Sequence, residues 1–572
     1  MPSRCRRSRR SAPAPARSWT RSASTGEAQP VRMKGLRLAA TLAAAPVALP
    51  VLALATAAMA GSGALWPHLL RFVLPQAAVE TLSLLAGVGV VVVVVGTGTA
   101  WLTSCFRFPA RRLLSVGLVL PLALPGYVAA YAWLDVLHPA GPVQTRLRHL
   151  LGLTDPRAIP LPEIRSLAGC VLVMGMVLYP YVYLAARAAF HTQGTEALRA
   201  ARSCGAAGML LFRRVGLPMA RPAVAAGAAL ALMEALNDIG AAEFLGVRTL
   251  TVSVYVTWIT RSSLEGAAQI ALVLLALVAG VVAMERWGRA RESHAATRPE
   301  APERQALPWA AGLAATLACT LPVLLGFVVP AAYLLWAAWR RVAEFGLPPD
   351  LPRWIASSAS LAAMATLLAL LAALPLALGA RRDSPRRPGP GAALLRLGML
   401  GYALPGGVAA VGLIIAFGWI DDLLGLLGRW APAALSGSVA AVVAAYVIRF
   451  LAIPAGGLDA AYARIRREVD WSAESMGATA GRLLWRVHLP LLLPALSVAA
   501  LLTFLDAMKE LPATLLLRPL NTETLATALY AEAARGTYEE GAVAALALVV
   551  VGLAPIVLLG AGGLRKVVPP AR

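Results

Sequence analysis

Two short acidic stretches are the first places where residue types and spacing suggest chemistry. MEALNDIG, residues 233–240, carries Glu234, Asn237 and Asp238 inside an apolar run, and DAMKELP, residues 506–512, carries Asp506, Lys509 and Glu510 inside another. At a constant offset of 272 positions Glu234 falls on Asp506, Asn237 on Lys509 and Asp238 on Glu510. Carboxylates four apart share a helix face, so each stretch is expected to present a paired acidic face at equivalent depth. A charge in the middle of an apolar helix costs about 3 kcal/mol on insertion scales and usually faces a cavity or a partner. The two faces are therefore expected to line a central path; the competing reading is solvation at the outer helix ends, or structural pairing with Lys509 or Arg449. Other chemistry finds little support. There is no nucleophile–base pair, and His68, His138, His149, His191, His294 and His488 are dispersed. Cys5, Cys105, Cys170, Cys204 and Cys319 are scattered, odd in number and without C-x-x-C spacing, which supports neither a disulfide framework nor a zinc or iron–sulfur site. No G-x-x-x-x-G-K-[ST] occurs, so the chain has no phosphate-cradling loop and does not hydrolyse ATP by that route.

Two polar stretches are patterned in a way that suggests docking. Between Glu196 and Pro218, and again between Val469 and Pro490, a glycine is followed after nine residues by Val-x-Leu-Pro: Gly205 leads to Val215, Leu217 and Pro218, and Gly477 to Val487, Leu489 and Pro490. The Ala/Arg-rich part is expected to form a short helix. The glycine permits a turn or a close backbone approach, a second amphipathic piece follows, and the proline starts the next spanning helix. A short helix lying along a membrane surface is a docking element.

The elements that must position these groups are membrane spans. Of 572 residues 59% are hydrophobic and 14% charged, far from the balance of a soluble protein. Apolar runs of roughly 20 residues, enough to cross a hydrocarbon core about 30 Å thick, recur around 37–60, 80–103, 112–135, 167–190, 220–240 and 267–284. A second set lies around 308–337, 356–380, 393–420, 434–455, 490–512 and 542–565. The expected fold class is all-α integral membrane, with about twelve transmembrane helices. VGVVVVVVGTGTAW has no polar face to give to water, and the runs do not alternate as barrel strands do. The net charge of +23 is distributed as a topology signal rather than a nucleic-acid footprint: arginine concentrates in alternate loops. By the positive-inside rule those loops and both termini are cytoplasmic. One loop, 138–166, dissents with Arg146, Arg148, Arg157 and Arg165 on the outer side. Residues 1–33 read as a basic, disordered tail, with Met33 as a natural start.

The chain is an internal duplication. ALPGYVAA from Ala123 returns as ALPGGVAA from Ala403, and residues 204–223 align with 476–495 at an offset of 272. TLTVSVY (249–255) then matches TLATALY (524–530). The expected division is a first repeat over 34–285, a polar cytoplasmic linker over 286–306 and a second repeat over 307–566. Six helices each make the repeats parallel, related by an axis along the membrane normal.

The spacing of the docking loops resembles the motif E-A-A-x3-G-x9-I-x-L-P of permease subunits of bacterial ABC importers, and both halves fit that pattern. The resemblance implies the type I importer permease fold and a short helix in each loop that couples to a cytoplasmic ATPase. It implies two ATPase copies per chain, an extracytoplasmic (periplasmic) solute-binding protein, the bilayer as surroundings and no nucleic acid. ATP is used by the partner and no cofactor is bound by this chain. The motif's Glu is missing: Arg199 and Trp471 hold its place. Ala200 and Ala201 keep the alanine pair in the first half, while Ser472 and Ala473 stand in the second; Glu196 and Glu474 are the carboxylates at hand for the lost ion pair. KELPATLLLRP (509–519) further resembles fused iron(III) importer permeases of the bacterial inner membrane. That resemblance implies inward movement of ferric iron by alternating access, and carboxylates suit such a hard cation. The same architecture importing thiamine, an oxyanion such as sulfate or molybdate, or another small solute is the alternative. A secondary transporter has no use for the docking loops.

Overall fold

A computed structural model describes residues 28–153, 155, 163–192, 194–206, 208–289, 304–383, 389–426 and 435–567. In hydrocarbon the backbone has no partner but itself, so continuous apolar runs become helices. In the first half these are α1 (Ala28–Ala60), α2 (Leu65–Cys105), α3 (Arg111–Ala123), α4 (Gly126–Val136), α5 (Pro142–Leu151), α6 (Leu167–Thr192), α7 (Gly194–Ser203), α8 (Gly208–Asn237), α9 (Ile239–Phe244), α10 (Leu250–Ile259) and α11 (Leu264–Arg289). The second half has α12 (Trp309–Phe345), α13 (Leu351–Arg382), α14 (Pro390–Met399), α15 (Gly406–Leu426), α16 (Val439–Arg464), α17 (Arg467–Ser475), α18 (Ala480–Met508), α19 (Pro512–Leu517), α20 (Leu525–Arg535) and α21 (Tyr538–Val567). Among the described residues ten helices are long and apolar enough to cross a membrane, or eleven if one bent pair counts as a span. The chain is a multi-pass, all-helical membrane protein.

The third candidate in each half is not the straight helix expected. α3 and α4 meet at 95°, and the second-half candidate is divided between α14 and α15. The breaks fall on the repeated octapeptides. A residue before proline is pushed out of the helical region; Leu124 and Leu404 accordingly have ψ of 115° and 117°. The chain then restarts as a helix at Gly126 and Gly406. The twelfth candidate lies on α21, whose side chains are described only to residue 554.

Proline also shapes the long helices. Each of four π-turns, Leu69–Val73, Phe212–Gly216, Leu324–Val328 and Leu484–His488, ends directly before a Leu-Pro or Val-Pro pair. Proline lacks an N–H and its ring clashes with the carbonyl four residues back, and a widened turn removes the clash without stopping the helix. Pro218 and Pro490 therefore do not begin the fifth spans: α8 and α18 run through them from Gly208 and Ala480.

α2, α6 and α8 pack together in the first half, and α13, α16 and α18 in the second. The halves are cross-laced, because α1 packs on α13 and α15 while α12 touches α3 and α4. Of the tail expected over 1–33, residues 1–27 lie outside the described residues and 28–33 open α1. Of the linker expected over 286–306, residues 290–303 lie outside them; 286–289 end α11, and Gln305–Ala306 pairs in parallel with Phe106–Arg107. The dissenting Arg146 and Arg148 fall on the short amphipathic α5.

Candidate functional site

The sequence-selected acidic residues converge from both halves. Glu234, Asn237, Asp238, Asp506, Lys509 and Glu510 all border one cavity of about 100 Å³, closed further by Tyr181, Tyr402 and Arg449. The shared helix face is corrected, however. α8 ends at Asn237 and α18 at Met508, so Asp238 and Glu510 lie past the helix ends. Of the four carboxylates only Glu234 and Asp506 are helical. Asp238 instead caps α9, its Oδ1 accepting from the Ala241 N–H at 2.9 Å. Glu510 does the same for α19, accepting from Ala513 at 3.0 Å. Each carboxylate is pressed against the opening glycine of a broken helix. A Cβ on Gly126 would lie 2.2 Å from the Asp238 carboxylate, and one on Gly406 2.4 Å from that of Glu510, so only glycine fits the repeated Leu-Pro-Gly.

Contacts between the halves close the arrangement. Tyr402 donates to Glu234 at 2.6 Å, the Gly406 N–H donates to Asn237 Oδ1 at 2.7 Å, and Tyr127 donates to the Lys509 carbonyl at 3.3 Å. Structural pairing, the competing reading, is realised for two carboxylates: Arg449 forms a buried ion pair with Glu510, and Lys509 sits 3.3 Å from Asp506. Tyr181, Tyr402, Asp506 and Lys509 also border a larger space of about 780 Å³ toward the arginine-rich face, lined by Ser115 and Met399. On the opposite face the halves meet through Tyr255 and Tyr530, equivalent residues with ring centroids 6.3 Å apart, and Tyr530 donates to Glu243 at 2.5 Å. Burial pushes the Glu243 carboxyl up, against the lowering effect of that bond.

The two patterned loops share a backbone. Gly205 follows α7 with φ +82° and Gly477 follows α17 with φ +80°. Each is the left-handed residue of a helix stop in which two N–H groups turn back onto the last carbonyls: Gly205 to Arg202 and Ala206 to Ala201, Gly477 to Glu474 and Ala478 to Ala473. The glycine thus serves a turn, and nothing lies within 4 Å of a Cβ built on either. On α7, Arg199 and Ala200 are exposed and Ala201 half-buried, while the Glu196 side chain lies outside the described residues. On α17, Trp471 and Glu474 are exposed and Ala473 is buried. Leu217 and Leu489 are half-buried at the end of each π-turn, beside Pro218 and Pro490. Met209 in the first loop, and Trp471, Met476 and Trp485 in the second, leave apolar surface open.

What lies beneath the loops differs. Under α7, Trp101 packs edge-on against Phe190 at 5.3 Å and at a tilt against Phe212 at 5.2 Å, and Leu198 of α7 is buried. Gly216 lies flat on that indole, since a Cβ there would fall 2.6 Å from it. Under α17, Arg381 holds Asp470 with two bonds of 2.8 and 3.0 Å and lies over the Tyr462 ring at 4.9 Å. His488 contacts Asp470 at 2.9 Å and Tyr462 at 3.2 Å. Burial pushes the Asp470 carboxyl up, but the bonds from Arg381 and His488 outweigh it and hold the group below its ordinary value.

Sequence reading missed Tyr402 and Tyr181, which carry no motif, although Tyr402 directly precedes the second octapeptide. It also missed the Arg381, Asp470 and His488 network, whose members are far apart in the chain and without pattern. Among the described residues no cluster of three or more His, Cys, Asp or Glu side chains is placed to hold a metal ion.

Comparison with known proteins bears on this arrangement. Residues 92–287 match the family described as binding-protein-dependent transport system inner membrane component. A probable ABC transporter permease of Sinorhizobium fredii is 25% identical over 81% of this chain and 83% of its own length. An Fe(3+)-transport system permease protein of Haemophilus influenzae is 23% identical over 84% of this chain and 88% of its own length. A molybdenum transport system permease protein of Mycobacterium tuberculosis is 33% identical over 42% of this chain and 92% of its own length.

Proposed function

Because the chain belongs to the family of binding-protein-dependent transport system inner membrane components, the permease subunits of ABC transporters, we propose that it carries ferric iron inward across the bacterial inner membrane by alternating access. The observation that carries this reading is mechanical. α8 and α18 each run without interruption from a patterned loop to the acidic cavity, carrying Glu234 and Asp506 in their last turns. A displacement of either loop is therefore delivered along a rigid helix to a side chain on the path. Two loops call for two copies of a separate ATPase on the arginine-rich, cytoplasmic side, where both termini also lie. An extracytoplasmic binding protein delivers cargo to the opposite face.

Iron is favoured over other cargo because one of the relatives matched across both halves is named as an Fe(3+)-transport permease, and because the cavity offers hard oxygen groups from Glu234, Asp506, Tyr181 and Tyr402. The contact of Tyr255 with Tyr530 on one face and the larger space toward the arginine-rich face support alternating access between the two sides. Arg449 and Lys509 on the same cavity, with the molybdenum-permease relatives, favour an oxyanion as the second reading.

The test is uptake of radiolabelled ferric iron and of molybdate, in parallel, by cells expressing the chain with its ATPase and binding protein. Iron uptake that disappears in a Glu234→Gln, Asp506→Asn variant of normal abundance is the expected result. Molybdate uptake in place of iron overturns the cargo and leaves the permease assignment standing.

A further inference from the structure

The arginines at one corner of the first half are not explained by ATPase docking, and of the five only Arg187 borders the space along the proposed cargo path. Three chain segments meet there. The turn after α2 brings Arg107, Arg111 and Arg112, with Arg111 donating to the Thr103 carbonyl at 3.1 Å. The last turns of α6 bring Arg187, which donates to the Ser115 carbonyl at 3.2 Å and to Tyr183 at 3.1 Å. The strand Gln305–Ala306, paired with Phe106–Arg107, brings Arg304. Arg304 is within electrostatic reach of Arg187, Arg107 and Arg112, and Arg111 of Arg304, Arg187 and Arg112. Among the described residues none of these five guanidinium groups forms an ion pair. Arg304 Nε is buried without a hydrogen-bond partner. Burial and the neighbouring guanidinium groups together hold Arg304 below the usual arginine range.

A preference for arginine on this face accounts for positive charge in the loops. It does not account for five such groups within electrostatic reach of one another with a buried N–H left over, because like charges held close together are costly. An anion between them removes that cost. The surroundings indicate which kind. α3 follows its two arginines with Leu113 and Val116, both exposed. The start of α12 lies alongside, with Gly312 against Phe108 and Pro109 and the Thr316 hydroxyl on the Pro109 carbonyl at 3.1 Å. It presents exposed Trp309 and Leu313, and a tryptophan at this level marks the headgroup region of a bilayer. A charged pocket bordered by apolar surface matches a ligand with a phosphate head and hydrocarbon tails.

We propose that Arg107, Arg111, Arg112, Arg187 and Arg304 form a binding site for the phosphate group of an anionic phospholipid in the cytoplasmic leaflet. Planar guanidinium groups suit phosphate oxygens in pairs. Among the described residues the second half has no such cluster, because the repeat positions of Arg187, Arg111 and Arg112 are Asp459, Gly391 and Ala392. The site does not depend on which solute is carried.

The experiment uses the full chain in detergent, titrated with phosphatidylglycerol or phosphatidylcholine and read by native mass spectrometry. One phosphatidylglycerol per chain is expected to be retained in preference to phosphatidylcholine. An Arg187→Gln, Arg304→Gln variant is expected to lose binding by on the order of tenfold to thirtyfold, the worth of two surface charges. The same loss of charge on the same face of the other half, Arg382→Gln with Arg396→Gln, is expected to change it by less than about twofold. If the glutamine variant does not fold, Arg187→Lys with Arg304→Lys is expected to keep the preference. Equal losses in the two glutamine variants, no preference between the lipids, or displacement of phosphatidylglycerol by millimolar inorganic phosphate would each overturn the lipid assignment.

Discussion

The two patterned loops have one backbone and two kinds of foundation. At the repeat offsets Trp101 is replaced by Arg381, Phe190 by Tyr462, Leu198 by Asp470 and Gly216 by His488. An indole wedged among apolar side chains holds the first loop; a guanidinium, a carboxylate and an imidazole hold the second. Everything set by the main chain, the left-handed glycine and the π-turn before Leu-Pro, is the same on both sides. Duplication has therefore preserved the geometry that presents a loop to a partner and exchanged the forces that hold it. Dispersion and burial have no direction and tolerate small shifts, whereas the second network needs every partner in place.

The comparison is broken most severely by emptying the first foundation. Trp101→Ala leaves a cavity under α7, at an expected cost of about 3–5 kcal/mol, and hydrogen exchange should rise over 194–216 well before 467–488. Arg381→Ala should reverse the pattern: it leaves Asp470 and three backbone carbonyls without their donor, at a cost near 3 kcal/mol for a pair of which Asp470 is partly exposed. Equal exchange in both loops for either variant would show that the foundations are not independent.

Gly205→Asp and Gly477→Asp act on the shared part. Each forces a side chain into a left-handed conformation at about 1–2 kcal/mol, and with open space around both glycines the loss should be similar in the two halves. ATPase binding should fall in both variants while membrane insertion is unchanged. The smallest expected effect is acid sensitivity confined to the second loop. Partners hold the folded Asp470 carboxyl below its ordinary 3.8. Its contribution is thus complete above that pH and is lost as pH falls through the lower folded value. Asp470→Asn should abolish the extra acid-induced exchange over 467–488, and the first loop should show none.

Much of this was legible in the sequence because it is local or periodic. Apolar runs gave the spans, the octapeptides and the 272-residue offset gave the repeat, and glycine-to-proline spacing gave the loops. The helix breaks at Leu124 and Leu404 were hidden because the flanking residues remain apolar, so hydropathy ran through a corner that proline imposes. Asp238 and Glu510 lie past the ends of the helices on which their spacing had placed them, each accepting instead from an N–H at the start of the next short helix. The contacts of Tyr402 with Glu234 and of Gly406 with Asn237 span more than 160 residues of chain and depend on how the halves dock, which no window of sequence reports.

The measurement that bears most directly on the central claim is transport in proteoliposomes containing the full chain, its ATPase and its binding protein, loaded with radiolabelled ferric iron on the binding-protein side. Accumulation of iron that requires ATP and is lost in a Gly205→Asp, Gly477→Asp variant is the expected result. Accumulation that proceeds without ATP, or that survives in this variant, would contradict the assignment of the loops as the place where ATP hydrolysis is coupled to transport.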